Sequence, residues 1–217
     1  MPFAVIFILY EASRSIAFRF NSGVTYGLPL SFEEHFFGAP LAVFFQLHRV
    51  WLLDVFCSII YSLHPLYLFI LILYLLVFDL DNYIHALVTV GTASLIAVAT
   101  YIVWPVAPPW IAYPGITRIQ NIVFRALGLE KSIDPNPYAA MPSMHVAYSF
   151  FFYYYIKKAF GNKHAKLLLI GYFMVIAVPF TVIYTGNHYL LDVIAGFIVA
   201  LVSVKIGDIV LRIYSRP

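Results

Sequence analysis

Two short polar segments interrupt an otherwise apolar sequence, and both contain side chains that could do chemistry. The first, PSMH at 142–145, places a serine and a histidine beside an apolar run. The second, TGNHYLLD at 185–192, places a histidine and an aspartate at i and i+4, which lie on one face of a helix. The carboxylate of Asp192 could accept a proton from one nitrogen of His188 and fix its tautomer. The other nitrogen would then be free as a nucleophile.

His145, in the first segment, could complete such a reaction. A nucleophile that displaces an alkoxide works best with a partner that donates a proton to the leaving oxygen, and histidine can do so near neutral pH. The chemistry therefore depends on whether the fold brings His145 close to His188, and so on the helices that carry them.

The composition places those helices in a membrane. Of 217 residues, 63% are hydrophobic and 11% are charged, whereas about 25% are charged in a typical soluble domain. The sequence therefore predicts an integral membrane protein with a single domain, 1–217, whose core is about 50–213. The net charge of +3 gives no argument for a nucleic-acid partner. The lone Cys57 excludes an internal disulfide and a cysteine-based metal site.

Uncharged apolar runs predict the spanning helices, each of which needs about 20 apolar residues. The five predicted spans are 54–79, 86–104, 144–156, 167–187 and the run 193–204 with its extension back to His188 and on toward Arg212. Residues 1–20 are interrupted by three charged residues and form either a sixth span or a helix on the membrane surface. A short interfacial helix is predicted at 32–47. The predicted fold is all-α, a polytopic bundle of five to six transmembrane helices.

The lysines of one loop predict how the bundle lies in the membrane. The segment 157–166 contains four lysines, and such basic loops stay on the cytoplasmic side. Two further crossings return Arg212 and Arg216 to the same side. The long loop 105–143 then lies on the non-cytoplasmic side, together with both polar segments.

Both segments would therefore stand at helix N-termini on one membrane face. Ser143 is the predicted N-cap of the first helix and Asn187 that of the second. Converging N-termini offer unpaired N–H groups and positive dipole ends, which favour an anion such as phosphate. An ionisable group within the hydrocarbon costs about 2.5–3.5 kcal/mol or more, so three of them near one boundary favour a functional interpretation.

Two other classes of function stay open at this point. Two histidines and one carboxylate could ligate a transition metal. Alternatively, the polar side chains could join helices in a non-catalytic membrane protein. Three further polar residues, Asp54, Tyr61 and His64, fall roughly on one face of their helix and are predicted to form an internal hydrogen-bond cluster.

The two segments also resemble the signature motifs of a known family. PSMH at 142–145 and TGNHYLLDVIAG at 185–196 resemble the second and third motifs of the type 2 phosphatidic acid phosphatase superfamily. PVAPPW at 105–110 and NPYAAMPSMH from 136 are more similar to its inositol-phosphorylceramide-synthase-like branch. The resemblance covers about residues 50–205 of the chain.

This resemblance implies a six-helix membrane fold, no metal or other cofactor, and a phosphohistidine mechanism. By position, His188 matches the nucleophile, Asp192 the carboxylate that orients it, and His145 the acid for the leaving group. These roles follow from the match of motifs.

Three phosphate-binding cations of the family are missing from this chain. No cation occurs between Thr100 and Pro109, where the first motif would lie, and Thr181 and Val182 stand where the third motif would begin with Ser-Arg. We expect the phosphate to be bound instead by neutral donors and by cations of the loop 105–143. The predicted substrate-binding residues are Ser143, Tyr184, Thr185, Asn187, Arg118 and Arg125, with Lys131 as a further candidate.

The predicted function is that of a membrane enzyme that acts on a lipid-linked phosphate. A site with so few cations suits a phosphodiester better than a dianionic monoester. This favours transfer of a head group to a lipid alcohol. The alternative is a phosphatase that uses water as the acceptor and acts on a lipid phosphate or a polyprenyl diphosphate.

Overall fold

The computed structural model describes residues 2–20, 25–129 and 136–214, and most of the chain in these ranges is helical. Apart from isolated bridges that Val106 makes with Thr25 and Ala139, the described ranges contain no β-structure. Their α-helices are α1 (Pro2–Phe20), α2 (Gly27–Phe37), α3 (Leu41–Leu47), α4 (Trp51–Phe78), α5 (Leu80–Val103), α6 (Pro109–Ala112), α7 (Ile119–Ala126), α8 (Met144–Phe160), α9 (Ala165–Tyr184) and α10 (Leu190–Tyr214). The all-α prediction is confirmed. Lys131 and Arg216 lie outside the described residues.

Four helices, α4, α5, α9 and α10, are long and apolar enough to cross a membrane. They correspond to four of the five predicted spans. The described part of the chain is thus that of an integral, multi-pass membrane protein. Apolar side chains of α4, α5 and α10 meet those of α8 in one core, whose buried members include Ile72, Leu75, Val90, Phe151 and Ala200.

The fifth predicted span, α8, is shorter but is surrounded by the others. Its 17 residues rise about 25 Å, slightly less than the hydrocarbon thickness of about 30 Å. The helix contacts α4, α5, α9 and α10. It ends at Gly161, whose φ of 58° is in the left-handed region, and α9 then returns to the opposite end of the bundle.

The N-terminal helix α1 packs along α5. Ser13 and Ala17 are fully buried, and the ring of Tyr10 lies edge-on to that of Tyr101 with centroids 6.4 Å apart. This packing fits a helix that joins the bundle better than one that lies on the membrane surface.

The predicted interfacial helix at 32–47 is two helices, α2 and α3, rather than one. Gly38 ends α2 with φ 78°, and its N–H donates to the carbonyl of Glu34. Pro40 then stands at the N-cap of α3, because proline is tolerated at a helix start but cannot continue a preceding helix. The break turns the chain so that both helices lie against the ends of α9 and α10.

A close backbone approach joins the N-terminal ends of α8 and α10. The N–H of Ser143 donates to the carbonyl of Asp192 at 3.0 Å. A Cβ atom added at Gly196 would collide with the carbonyl oxygen of Ser143, so only glycine permits this approach. The two polar segments therefore meet at one end of the bundle.

Candidate active site

The two predicted histidines face each other at this end of the bundle. Nε2 of His188 lies 3.3 Å from Nδ1 of His145, and the two ring centroids are 5.3 Å apart. His188 is 4% exposed. Two imidazoles at this separation can act on the same phosphorus atom, one as a nucleophile and the other as a proton donor.

His188 is oriented mainly by a backbone carbonyl. Its Nδ1 lies 2.7 Å from the carbonyl oxygen of Ala140, and Oδ2 of Asp192 is farther away at 3.4 Å. Because Nδ1 donates its proton to that carbonyl, Nε2 carries the lone pair. The tautomer that nucleophilic attack needs is thus fixed by the main chain.

The spacing of His188 and Asp192 predicted that they share one face of a helix, but in the structure they do not. The helix α10 begins at Leu190, so His188 precedes it. The Oδ2 atom of Asp192 accepts the N–H of Tyr189 at 2.8 Å and so closes the turn that carries His188. The carboxylate therefore lies behind the histidine as a buried negative charge.

His145 is stacked against aromatic rings of α4. Its ring centroid is 3.9 Å from that of His64 and 4.3 Å from that of Tyr61. These contacts fix the plane of the imidazole. The shared helix face had predicted a hydrogen-bond cluster of Tyr61 and His64 with Asp54. In the structure, Tyr61 and His64 belong instead to the site.

His64 takes its orientation from the proline that follows it. Pro65 has no N–H, so the carbonyl of Tyr61 loses its partner in the helix. Nδ1 of His64 lies 2.7 Å from that carbonyl and replaces the missing donor. The Nε2 atom of His64 is left with its lone pair, and the ring lines the same cavity as His145.

One predicted cation, Arg118, reaches the two histidines. It is 8% exposed, lines a cavity together with His145 and His188, and interacts with the hydroxyl of Tyr61. Its Nε donates to Oδ1 of Asn187 at 3.2 Å. Arg125, by contrast, is exposed at the end of α7 and is not among the residues that line the cavity.

Asn187 connects this arginine to Gln120, which no sequence pattern had indicated. Its Nδ2 donates to Oε1 of Gln120 at 3.0 Å and to Oγ1 of Thr185 at 2.8 Å. Both ends of the Asn187 amide are therefore engaged with protein groups. Gln120 is fully buried and lines the cavity.

The turn that carries Asn187 depends on glycine. Gly186 has φ 75°, and a Cβ there would meet Ile116, Gln46 and the carbonyl of Thr117. Gln46 binds the backbone of Thr117 beside this turn. Its Oε1 accepts the N–H of Thr117 at 2.9 Å, and its Nε2 donates to the Thr117 carbonyl at 2.9 Å. The segment before Arg118 is thereby fixed against the end of α9.

The other predicted substrate-binding residues serve the scaffold in this structure. Tyr184 donates its hydroxyl to Oδ1 of Asp54 at 2.6 Å, and Thr185 donates to the carbonyl of Thr181 at 2.7 Å. Ser143 is the N-cap residue of α8, but its side chain makes no capping hydrogen bond. Its buried Oγ has no hydrogen-bond partner within the described residues.

The cap of α10 comes from a distant residue, Glu33, and not from Asn187. Oε1 of Glu33 accepts the N–H of Leu190 at 2.6 Å, and Oε2 accepts the N–H of Leu41 at 2.9 Å. The carboxyl is buried, and burial raises its pKa above the ordinary value, although the two N–H groups favour the charged form. Glu33 therefore ties α2 to the starts of α3 and α10.

The cavity beside the histidines is large and mostly apolar. It has a volume of about 790 Å³ and is lined by Arg118, Gln120, His145 and His188 at one end. Much of the rest of the wall comes from α4 and α5, including Leu66, Phe69, Val90, Ala97 and Tyr101, and other helices complete it. From Tyr101 to Val90 the helix rises about 16 Å. Leu66 and Phe69 keep 49% and 43% of their surface accessible, so this part of the wall is not sealed.

The donors present do not form a metal site. Within residues 2–20, 25–129 and 136–214, no three His, Cys, Asp or Glu side chains are placed to hold one ion. Asp192 lies on the Nδ1 side of His188, whereas His145 lies on the Nε2 side, so the three side chains do not converge on a common point.

Comparisons with known proteins gave a family model and a similar protein. A family model described as the PAP2 superfamily matches residues 30–206. The phosphoinositol dihydroceramide synthase of Bacteroides thetaiotaomicron is 30% identical to this chain in an alignment 231 positions long, which covers 94% of this chain and 73% of that protein. No solved structure matches the chain significantly.

Proposed function

The chain belongs to the PAP2 superfamily, and from that premise we propose that it transfers a phosphate-bearing head group from one membrane lipid to the hydroxyl group of another. The family and the relative support the broader statement, that this is a membrane enzyme acting on lipid phosphates. The finer proposal adds transfer to a lipid alcohol and a phosphohistidine intermediate on His188.

The observation that carries the proposal is the cavity. One end of it presents two histidines and an arginine, and the rest is an apolar passage of about 16 Å along α5. A small polar phosphate ester would gain nothing from such a passage. A lipid would bury its chain there while its phosphate stayed at the histidines, because each buried CH₂ group contributes about 0.8 kcal/mol.

In the proposed first step, the Nε2 lone pair of His188 attacks phosphorus. An N–P bond forms, the P–O bond to the departing lipid alcohol breaks, and His145 donates a proton to the departing oxygen. His145 is the candidate for this role because its ring lines the same cavity as that of His188. The negative charge of Asp192 stabilises the positive charge that develops on the His188 ring.

In the second step, the acceptor hydroxyl gives its proton to His145, its oxygen attacks phosphorus and the N–P bond breaks. The head group then lies on the acceptor lipid, and both histidines regain their starting protonation states. The walls of the cavity favour a lipid alcohol over water as the acceptor, because they are mostly apolar and reach the two histidines.

The charge near the phosphorus also favours a phosphodiester. Arg118 is the cation that the described residues place in the lining of the cavity, and the cations of the usual first motif are missing. One guanidinium balances the single negative charge of a phosphodiester, whereas a phosphomonoester carries close to two negative charges at neutral pH.

The name of the relative guides the first assay. Purified protein in mixed micelles is given glycerophospholipids with labelled head groups, including phosphoinositol, with and without dihydroceramide. We expect labelled phosphate to appear in a new lipid only when the alcohol is added, and His188→Ala to abolish the product.

Two outcomes would contradict the proposal. Release of water-soluble labelled phosphate at the same rate with and without the lipid alcohol would identify a hydrolase. Turnover that survives in His188→Ala would show that the phosphohistidine assignment is wrong, whatever the acceptor.

A further inference from the structure

We propose that Gln120 is a phosphate-binding donor of the site, and that it acts as a neutral replacement for one of the missing cations. This inference rests on the proposed function, because it takes the cavity end at His145 and His188 as the place where the phosphoryl group binds. It names a residue that belongs to neither polar segment and lies at the start of α7.

The first argument is an unsatisfied amide. Nε2 of Gln120 is buried and, among the described residues, has no hydrogen-bond partner. An unpaired buried donor destabilises the protein, so such groups usually have a partner when the site is filled. The Gln120 side chain lines the cavity next to the two histidines, where the partner would be a phosphoryl oxygen.

The second argument is that the network fixes which end of the amide is free. Nε of Arg118 can only donate, so the Asn187 atom that it contacts at 3.2 Å must be Oδ1. The other end of Asn187 is therefore Nδ2, which donates to Gln120 at 3.0 Å. The atom of Gln120 that receives this bond must be Oε1. Its Nε2, with two N–H groups, is the end left without a protein partner.

The third argument is the position of Gln120 in the chain. Arg118 and Gln120 are two residues apart at the start of α7, and Asn187 binds both. Asn187 is next to the nucleophile, so a single chain of hydrogen bonds sets the arginine, the glutamine and His188 relative to one another. This is the preorganised set of donors that stabilises charge as it develops in a transition state.

Substitutions at Gln120 separate phosphate binding from support of Asn187. Gln120→Glu keeps an oxygen for the Nδ2 of Asn187 but replaces the donor with a negative oxygen. Gln120→Lys does the reverse, because it keeps a donor and loses the acceptor. Gln120→Met loses both and keeps the approximate size. All three are compared with the full-length wild-type protein.

The first measurement is the affinity for vanadate, which mimics the transition state of phosphoryl transfer, scored by its effect on thermal unfolding of the purified protein. We expect affinity to fall in the order wild type, Lys, Met, Glu. With a lipid substrate we expect kcat to fall by about 100- to 1,000-fold in the Met variant, as for loss of one oxyanion donor, and further in the Glu variant.

The opposite order would overturn the inference. If Glu matches the wild type while Lys and Met fail, Gln120 serves only to hold Asn187. Equal vanadate affinity in all variants would also exclude the proposed contact. Failure of the inference can be distinguished from failure of the proposed function. If the wild-type protein does not bind vanadate, or if His188→Ala binds it equally well, both are wrong. Binding that requires His188 but not Gln120 would overturn the inference alone.

Discussion

The position of the proton on His188 depends on the main chain more than on any side chain. The carbonyl of Ala140 lies 2.7 Å from Nδ1, whereas the carboxylate of Asp192 is 3.4 Å away. No substitution of a side chain removes that carbonyl. The contribution left to Asp192 is its negative charge beside a ring that becomes positive when Nε2 binds phosphorus. The two residues should therefore differ in how much activity depends on them.

We expect His188→Ala to abolish turnover, and Asp192→Asn to lower kcat by about 10²–10³, the loss typical of one preorganised electrostatic group. Asparagine can still accept the N–H of Tyr189, so the turn should stay intact and the unfolding temperature should change little. Activity is measured as head-group transfer under saturating lipid. A complete loss in Asp192→Asn would show that the carboxylate, and not the Ala140 carbonyl, sets the tautomer.

The arginines of the loop provide a second comparison between residues. Arg118→Ala should lower kcat by about 10²–10³, because the guanidinium lines the cavity with both histidines. Arg118→Lys should recover only part of this, since lysine cannot hold Asn187 and a phosphate with one planar fork. Arg125→Ala is the matched control, from the last turn of the helix that Arg118 precedes, and we expect it to act weakly because its side chain is exposed. Equal losses at both positions would contradict a specific role for Arg118.

At the scale of elements, the site is assembled where helices begin and end. His145 is the second residue of α8, His188 and Asn187 lie between α9 and α10, and Gln120 is the second residue of α7. Such positions have free N–H groups that need acceptors. At α10 the acceptor is Glu33, which also serves α3, so one buried carboxylate fixes the starts of two helices.

Glu33→Gln should lower stability because an amide has one oxygen for two N–H groups. Its NH₂ would face one of them, and an unpaired buried donor costs about 1–3 kcal/mol. Glu33→Asp is the matched control, which keeps the charge but shortens the reach. Thermal unfolding in detergent measures the loss, and an unchanged unfolding temperature in Glu33→Gln would show that Glu33 does not hold α10 in place.

The same substitution has a pH dependence of defined sign. Burial raises the pKa of Glu33 in the folded state. Protonation of Glu33 therefore stabilises the folded state. This contribution is complete below the pKa of the carboxyl in the unfolded chain, about 4.3. It is lost as the pH rises through the pKa of the carboxyl in the folded protein. Glutamine does not titrate, so the difference in stability between the wild type and Glu33→Gln should narrow as the pH rises from about 4.3. A difference that widens would contradict the direction of the shift.

The sequence was sufficient for the parts of the fold and site that depend on local pattern. Apolar runs gave the long helices, and the types and spacing of His145, His188 and Asp192 indicated the chemistry. It was insufficient where a residue acts through a distant partner. Glu33 and Leu190 are 157 residues apart, and no local pattern connects them. Gln120 had no signal either, because its role comes from Asn187, 67 residues away.

Tyr61 and His64 show a different limit of sequence-based prediction. Their spacing with Asp54 correctly indicated one face of the helix. Different parts of that face, however, contact different neighbours. Asp54 pairs with Arg49 at 2.7 Å, whereas the two rings stack on His145. Which neighbour covers each turn of a helix is decided by packing of the whole bundle. The sequence signal that was available is Pro65, which frees the carbonyl that His64 satisfies.

At the scale of the whole molecule, polar groups hold the bundle at both ends, with an apolar core between. The far end from the site contains His85, whose ring contacts Tyr155 at 2.7 Å and Asp208 at 3.0 Å. These contacts join α5, α8 and α10 next to Gly207, where a Cβ would collide with Thr89. The site end is therefore supported by helices that are fixed against one another at the opposite end.

The direction of the bundle in the membrane is the last prediction, and it concerns the molecule as a whole. The turn after α8 lies at the opposite end from the histidines, and the segment 157–166 there contains four lysines. Basic loops remain in the cytoplasm, so the active site should face the non-cytoplasmic side. A cysteine that replaces Leu129, exposed beyond α7, should react with an impermeant thiol reagent in intact cells.

The matched position at the other end is Lys163, which is exposed in the turn between α8 and α9. A cysteine there should react only after the membrane is opened. The native Cys57 is fully buried, so its background labelling should be low, and the unsubstituted protein measures it. The reverse pattern would place the histidines at the cytoplasmic face. The lipid donor and the acceptor alcohol should then be present in the leaflet that faces the site, because the reacting side chains lie at that end of the bundle. The labelling result therefore also decides from which leaflet the substrates are drawn.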